Sequence, residues 1–215
     1  MKRYDLVIFD WDGTLMDSIG KIVTCMQATA MELQMTAPAE QSVRDIIGLS
    51  MDKALSVLFP HVANELRQTM IDVYRKHYLE LNTTPSPLFE GSLTLLDSLR
   101  EQEYLLAVAT GKGRGGLDRV LSLTELGHYF SATRCADESK SKPHPQMILD
   151  VLDVLNVEPA RALMVGDSIH DLNMANNAGV DCVGVSYGAH DHDTLLQAQP
   201  KHIINSPIAL LDCLY

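Results

Sequence analysis

YDLVIF, residues 4–9, runs straight into DWDGTLMDS, residues 10–18. An apolar, β-branched run closed by a Gly reads as a strand buried on both faces, the pattern of a parallel sheet. Asp10 then stands at the carboxyl end of that strand. Strand side chains alternate, so Asp10 and Asp12 leave toward one side at the mouth of the sheet while Trp11 points away. Two carboxylates aimed into one cavity repel each other and hold protons. A solvated acidic turn is the plain reading of the pair. The sharper one is a metal-assisted site in which one carboxylate is a nucleophile.

Working outward, residues from 88 onward alternate between strand and helix, as in a parallel sheet with crossover helices. Residues 104–109 (YLLAVA), 162–165 (ALMV) and 181–185 (DCVGV) read as buried strands. A weaker strand is expected near 129–132 and an edge strand at Ile203 and Ile204. Helices are expected over 91–102, up to about 126, after Pro143 and Pro145, over 170–178 and over 207–214. Between the first strand and this block the chain reads as helical throughout. Ser18 is a plausible N-cap for Ile19, Ile22, Val23, Met26, Ala30 and Leu33 at helical spacing. Val43, Ile46 and Ile47 follow up to Gly48, then Ala54, Leu55 and Leu58 up to Pro60, then a helix over 62–81 and the linker NTTPSP, residues 82–87. The expectation is an α/β fold: a doubly wound parallel sheet from residues 1–16 and 88–215, with a four-helix cap, residues 17–87, inserted after the first strand.

Composition narrows the function classes. The 215 residues are 46% hydrophobic and 21% charged, which is globular and excludes a disordered or fibrous chain. A net charge of −11 opposes nucleic acid and anionic membrane surfaces, and no basic stripe offsets it. Cys25, Cys135, Cys182 and Cys213 show no C-x-x-C spacing, so free thiols in a reducing cytoplasm are expected. Lys2 and Arg3 precede a short apolar run, but Asp5, Asp10 and Asp12 do not fit a signal peptide, and no run approaches a membrane span.

Doubly wound sheets bind ligands at strand carboxyl ends, and the candidate chemistry falls at those ends. Asp10 and Asp12 follow the first strand. Thr110 and Gly111 follow the second, offering a hydroxyl and a backbone amide to an anion. Lys142 precedes Pro143 as a point charge for phosphate. Asp167 and Ser168 close another strand, with Asp171 four residues after Asp167. Asp10, Asp12, Asp167 and Asp171 converging in one crevice are untenable without a cation, and Mg²⁺ suits carboxylates, water and a substrate phosphate.

DWDGTLMDS, the strand-end Thr110-Gly111, Lys142 before proline and G-D-S-x-x-D at residues 166–171 resemble, in order and spacing, the four motifs of the haloacid dehalogenase-like superfamily. The helical block resembles the α-helical cap of its phosphoglycolate phosphatase and β-phosphoglucomutase branch. The resemblance implies Asp10 as nucleophile, Asp12 as general acid/base, Thr110 and Lys142 as phosphate binders, and Mg²⁺ on Asp10, Asp167 and the main-chain carbonyl of Asp12. It implies a supporting or water-mediated contact for Asp171. The dehalogenase branch lacks an acid/base carboxylate at the place of Asp12, so its presence argues for phosphate esters.

The resulting expectation is a cytoplasmic Mg²⁺-dependent phosphatase, monomer or homodimer, acting on a small phosphorylated metabolite, phosphoglycolate-like or a sugar phosphate. A phosphomutase uses the same motifs, but this chain has Met51 where mutases place a cation after Gly48-Leu49-Ser50. A non-catalytic binding protein on the same fold is disfavoured because all four motifs are filled. Substrate specificity is expected at the cap face around Arg44, Gly48 and Ser50. Two patterns remain. Residues 111–116 (GKGRGG) satisfy the dinucleotide fingerprint, yet Thr110-Gly111 already has a use and no paired acid follows a clear second strand; Lys112 and Arg114 read as residues at the mouth. His190-Asp191-His192-Asp193 reads as a solvated turn rather than a second metal site, and His144 and His170 as polar neighbours.

Overall fold

The computed structural model describes residues 2–215. Strands β1 (Leu6–Phe9), β2 (Leu105–Ala109), β3 (Ala132–Arg134), β4 (Ala162–Gly166), β5 (Asp181–Val185) and β6 (His202–Ile204) form one sheet in the order β3-β2-β1-β4-β5-β6. Every pairing is parallel; β1 sits at the centre, with Phe9 beside Val108 of β2 and Val165 of β4. The period-two alternation accounts for the layering. Val7, Phe9, Leu106, Val108, Leu163 and Val165 enter one core with Leu95, Leu96 and Leu99 of helix α5 (Ser92–Glu101) and Leu117 of α6 (Arg114–Thr124). Leu6, Ile8, Ala107, Ala109, Ala162 and Met164 enter the other, against α7 (Gln146–Leu155) and α8 (Ile169–Ala178). Each strand is apolar on both faces because helices cover both.

Two boundaries differ from the sequence reading. The strand expected near 129–132 begins only at Ala132: Glu125 adopts a left-handed conformation (φ 58°) that stops α6, and Leu126–Tyr129 spends the next residues on a 3₁₀ turn. The terminal helix is likewise a 3₁₀ segment, Pro207–Cys213.

Between β1 and α5 lie α1 (Ile19–Glu32), α2 (Glu40–Arg44), α3 (Met51–Leu58) and α4 (Asn64–Lys76), the last extended by a π-helical turn, His77–Leu81. They bury their apolar stripes in a cluster of their own, including Val23, Met26, Val43, Ile46, Ile47, Leu55, Met70 and Tyr74. Entry and exit of this block run side by side: Asp17 N–H donates to Pro87 O at 2.8 Å, Phe89 N–H to Leu15 O at 3.0 Å, and Met16 bridges Leu88 in antiparallel fashion. No described helix is long and apolar enough to cross a membrane.

Candidate active site

Asp10, Thr110 and Asp167 directly follow β1, β2 and β4, three adjacent strands. The ladder continues one residue past each strand where it matters: Asp10 N–H donates to Val165 O, and Thr110 N–H to Arg134 O, both at 3.0 Å. Lys142 arrives from the loop between β3 and α7. All four side chains are buried.

The Lys142 ammonium bridges two carboxylates, 2.7 Å from Asp10 Oδ1 and 2.6 Å from Asp171 Oδ1. Asp171 is fixed in turn by a capping box: its Oδ2 accepts from the Ser168 hydroxyl at 2.6 Å and the Ser168 N–H at 3.2 Å, at the start of α8. Asp167 accepts from the Thr14 hydroxyl at 3.0 Å and the Ala189 N–H at 2.7 Å. Oxygens of Asp10, Asp167 and Asp171 lie within 4.8 Å of one another. One ammonium cannot balance three buried carboxylates. Burial, reinforced by Asp171, pushes the Asp10 pKa up to about 7 despite Lys142, and burial with Asp10 and Asp171 as neighbours holds Asp167 well above the usual carboxylate range. Burial opposes the Lys142 ammonium, but Asp10 and Asp171 outweigh it and hold its pKa above normal. Asp10 Oδ2 is buried with no hydrogen-bond partner among the described residues. An orphaned carboxylate oxygen beside a second unneutralised carboxylate is a donor set that fits a hard, oxygen-loving divalent cation. Asp10, through Oδ2, and Asp167, which pairs with no cation among the described residues, are the side chains that would hold it, since Asp171 is paired with Lys142.

The Asp12 carboxylate stands apart from this cluster. Its Oδ1 accepts from the Ser18 hydroxyl at 2.6 Å and its Oδ2 lies 3.0 Å from Lys112 Nζ. The first partner corrects the sequence reading. Ser18 makes no side-chain cap to α1, because its hydroxyl is turned to Asp12 instead. Lys112 stands at the mouth, as the sequence reading has it, and is largely buried there, its side chain 11% exposed. Burial works against the Lys112 ammonium, and Asp12 more than reverses that, holding its pKa above normal. The Lys112 contact is not visible in one dimension, since that pair joins only once β1 and β2 are adjacent.

The helical block meets the core through residues 48–50. Gly48 has φ 95°, and a Cβ there would lie 2.9 Å from Ser168 Oγ; one on Gly111 would lie 2.4 Å from the Gly48 carbonyl oxygen. Two glycines thus let backbone pass over backbone directly above the strand ends. Ser50 N–H donates to Ser141 Oγ at 3.0 Å, next to Lys142. Arg44 pairs instead with Glu40 on its own helix at 3.0 Å. In the loop after β5, Asp191, His192 and Asp193 are exposed as expected, and one residue departs. His190 is buried, its Nδ1 accepting from Ile169 N–H at 3.0 Å, and burial followed by His170 lowers its pKa. Asp191 caps α9 (His192–Leu196). This loop is no free turn because Ala189 and His190 brace Asp167, through its carboxylate and its carbonyl oxygen. His170 donates to the Asp45 carbonyl at 2.9 Å, a further tie between core and helical block, and His144 Nδ1 accepts from Gln146 N–H.

Residues 7–185 match the model of the family described as haloacid dehalogenase-like hydrolase. The chain belongs to that family. Among its relatives, a Dickeya dadantii protein named "Probable phosphatase IndB" is 36% identical over 205 residues, covering 94% of this chain and 89% of the relative. The phosphoglycolate phosphatase of Vibrio cholerae is 29% identical, covering 99% and 97%. In three dimensions, the crystal structure of a predicted phosphoglycolate phosphatase from Haemophilus somnus superposes with a TM-score of 0.89 at 24% identity, covering 99% of both chains, and so shares the fold. This haloacid dehalogenase-like hydrolase is a phosphatase, a phosphoric monoester hydrolase.

Proposed function

We propose that this phosphatase is Mg²⁺-dependent and hydrolyses a small phosphorylated metabolite, phosphoglycolate-like or a sugar phosphate, through an aspartyl-phosphate on Asp10. The observation that carries the reading is the state of Asp10: one oxygen held at 2.7 Å by Lys142, the other buried without a partner among the described residues. A nucleophile needs one oriented oxygen and one lone pair free to attack.

Asp10 Oδ attacks phosphorus while Asp12, protonated, gives its proton to the leaving alkoxide. Asp12 then takes a proton from water, which attacks the phosphoryl group and releases phosphate from Asp10. Ser18 and Lys112 hold Asp12 in orientation. Lys142, the Thr110 hydroxyl and the Gly111 amide bind the phosphoryl oxygens, and Asp171 and Ser168 hold Lys142 in place. Asp10, Asp167 and the main-chain carbonyl of Asp12 would hold Mg²⁺, which when bound neutralises charge on the transferring group. Residues 17–87 act as a cap that excludes water, with residues 48–50 facing the substrate and Arg44 at its edge. Met51 packs against the cap's own core, which leaves no cation there for the second phosphate of a mutase. With a net charge of −11 the protein acts on free metabolites in the cytoplasm, without nucleic acid or membrane, as a monomer or homodimer.

The test is turnover of a panel of phosphorylated metabolites after exhaustive chelation and metal add-back. Turnover should vanish in chelator, return with Mg²⁺ and be inhibited by Ca²⁺, whose longer bonds distort in-line geometry. Undiminished turnover without divalent metal overturns the metal assignment; inactivity across the panel with Mg²⁺ overturns the substrate class.

A further inference from the structure

We propose that Lys112 is a specificity-determining residue of this phosphatase: its ammonium receives a second anionic group on the substrate, so the substrates are phosphate monoesters whose leaving group carries a carboxylate or phosphate near the bridging oxygen. This rests on the reading of Asp12 as the group that protonates the leaving oxygen. Lys112 belongs to the glycine-rich run 111–116, which serves no dinucleotide here. Its glycines have other uses. Gly111 lies under the Gly48 and Leu49 carbonyls, and Gly116 clears space for Lys112 itself: a Cβ at 116 would lie 2.9 Å from Lys112 Cγ and 3.3 Å from Cδ. The Lys112 backbone is pinned on both sides, N–H to Thr110 Oγ1 at 3.1 Å and carbonyl to Ala136 N–H at 3.0 Å. The stem therefore lies across α6 and delivers the ammonium 3.0 Å from Asp12 Oδ2 and 5.0 Å from the centre of the Tyr78 ring. Tyr78 belongs to the returning π-helical turn of the inserted block.

Lys112 is a second cation in the site, set apart from the phosphoryl-binding Lys142. Lys142 pairs with Asp10 and Asp171, whereas Lys112 pairs with Asp12, its ammonium also meeting Tyr78 of the inserted block. A leaving oxygen that approaches Asp12 for its proton brings its neighbouring substituent to the side of the site where the Lys112 ammonium stands, 3.0 Å from Asp12 Oδ2. The charge there is also in excess. Lys21 Nζ lies 4.9 Å from the same Tyr78 ring without a carboxylate partner among the described residues, so two ammonium groups flank one ring against the single carboxylate of Asp12. In a chain of net charge −11 this is a local positive surplus at the leaving-group end. An anionic substituent pairs with this surplus and a neutral one forgoes that pairing, and sites built on a charged contact reject ligands that lack it.

The experiment compares 2-phosphoglycolate with 2-hydroxyethyl phosphate, which keeps the two-carbon skeleton and removes the charge, and includes p-nitrophenyl phosphate as a reporter of phosphoryl chemistry. The wild type should favour 2-phosphoglycolate by kcat/KM. Lys112→Gln should lose on the order of 10–100-fold on 2-phosphoglycolate, mostly in KM, and at least about tenfold less on 2-hydroxyethyl phosphate. Lys112→Arg should restore most of the preference. Gly116→Val, which keeps the ammonium but crowds its stem, should repeat the pattern in weaker form. Equal losses on both esters make Lys112 a support for Asp12 alone and overturn the proposal, as does an unchanged preference. A wild type active on the aryl phosphate but indifferent to substrate charge overturns it while leaving the phosphatase reading intact. A wild type inactive on all three esters overturns that reading as well.

Discussion

Replacing Gly111 by Ala isolates the closure of the helical block over the strand ends. The amide proposed to bind phosphate is retained, and only a methyl group is added. That methyl would sit 2.4 Å from the Gly48 carbonyl oxygen and 2.6 Å from that of Leu49, where ordinary contact begins near 3.4 Å. Both obstacles are backbone, in a segment whose Gly48 already needs φ 95°, so neither can swing aside as a side chain would. The segment must retreat by about 1 Å, and a displacement of that size at a reacting centre costs on the order of 10²-fold. The expected result is a fall of about 100-fold in kcat/KM, with thermal unfolding within a few degrees of the wild type, because the sheet contacts of Thr110 do not change. Steady-state kinetics and a thermal melt measure the two. Activity within about threefold of wild type would show that closure over residue 111 does not set the catalytic geometry. A fall in Tm beyond about 8 °C would show the clash absorbed by the core instead.

Asp10→Asn should stop turnover of every ester, while Asp12→Asn should cost about 10²–10⁴-fold on an alkyl phosphate and accumulate a base-labile phosphoryl group on the Asp10 peptide with an aryl phosphate, read by mass after rapid quench; residual turnover by Asp10→Asn with no adduct on Asp12→Asn means the two roles are misassigned. Lys142→Met leaves the buried carboxylates of Asp10 and Asp171 without their cation and should cost roughly 3–5 kcal/mol in denaturant unfolding at neutral pH; an unchanged midpoint refutes the charge balance drawn here. The metal-free protein carries Asp10 with a pKa pushed up to about 7 and Asp167 raised as well. A carboxylate whose folded pKa lies above its unfolded value binds more protons in the native state, so metal-free stability should fall as pH rises from about 4 to 7. Mg²⁺ displaces those protons, and its increase in Tm should be larger at pH 8 than at pH 5; equal increases at both refute the linkage.

The primary sequence determined the fold class and placed the polar residues of the candidate site at the strand ends. Its strand runs LVIF, LLAVA and ALMV are apolar at successive positions, which a sheet covered on both faces accommodates, and the first polar residue after each run stands at the sheet's carboxyl edge. Asp10, Thr110 and Asp167 were legible for that reason, and Lys142 from its place before proline. What the tertiary structure decided is which polar groups face each other. Asp171 pairs with Lys142 across 29 residues, Lys112 with Asp12 across 100, and Ser18 gives up its cap for Asp12. The buried His190 and the Ala189 N–H on Asp167 belong to a loop whose sequence resembles any polar turn. Hydrophobic periodicity reports which face of an element is buried, because burial acts on each element separately. Ion pairs and hydrogen bonds between elements depend on distances of about 3 Å, which exist only after strand order and the crossing of residues 48–50 over Gly111 are set.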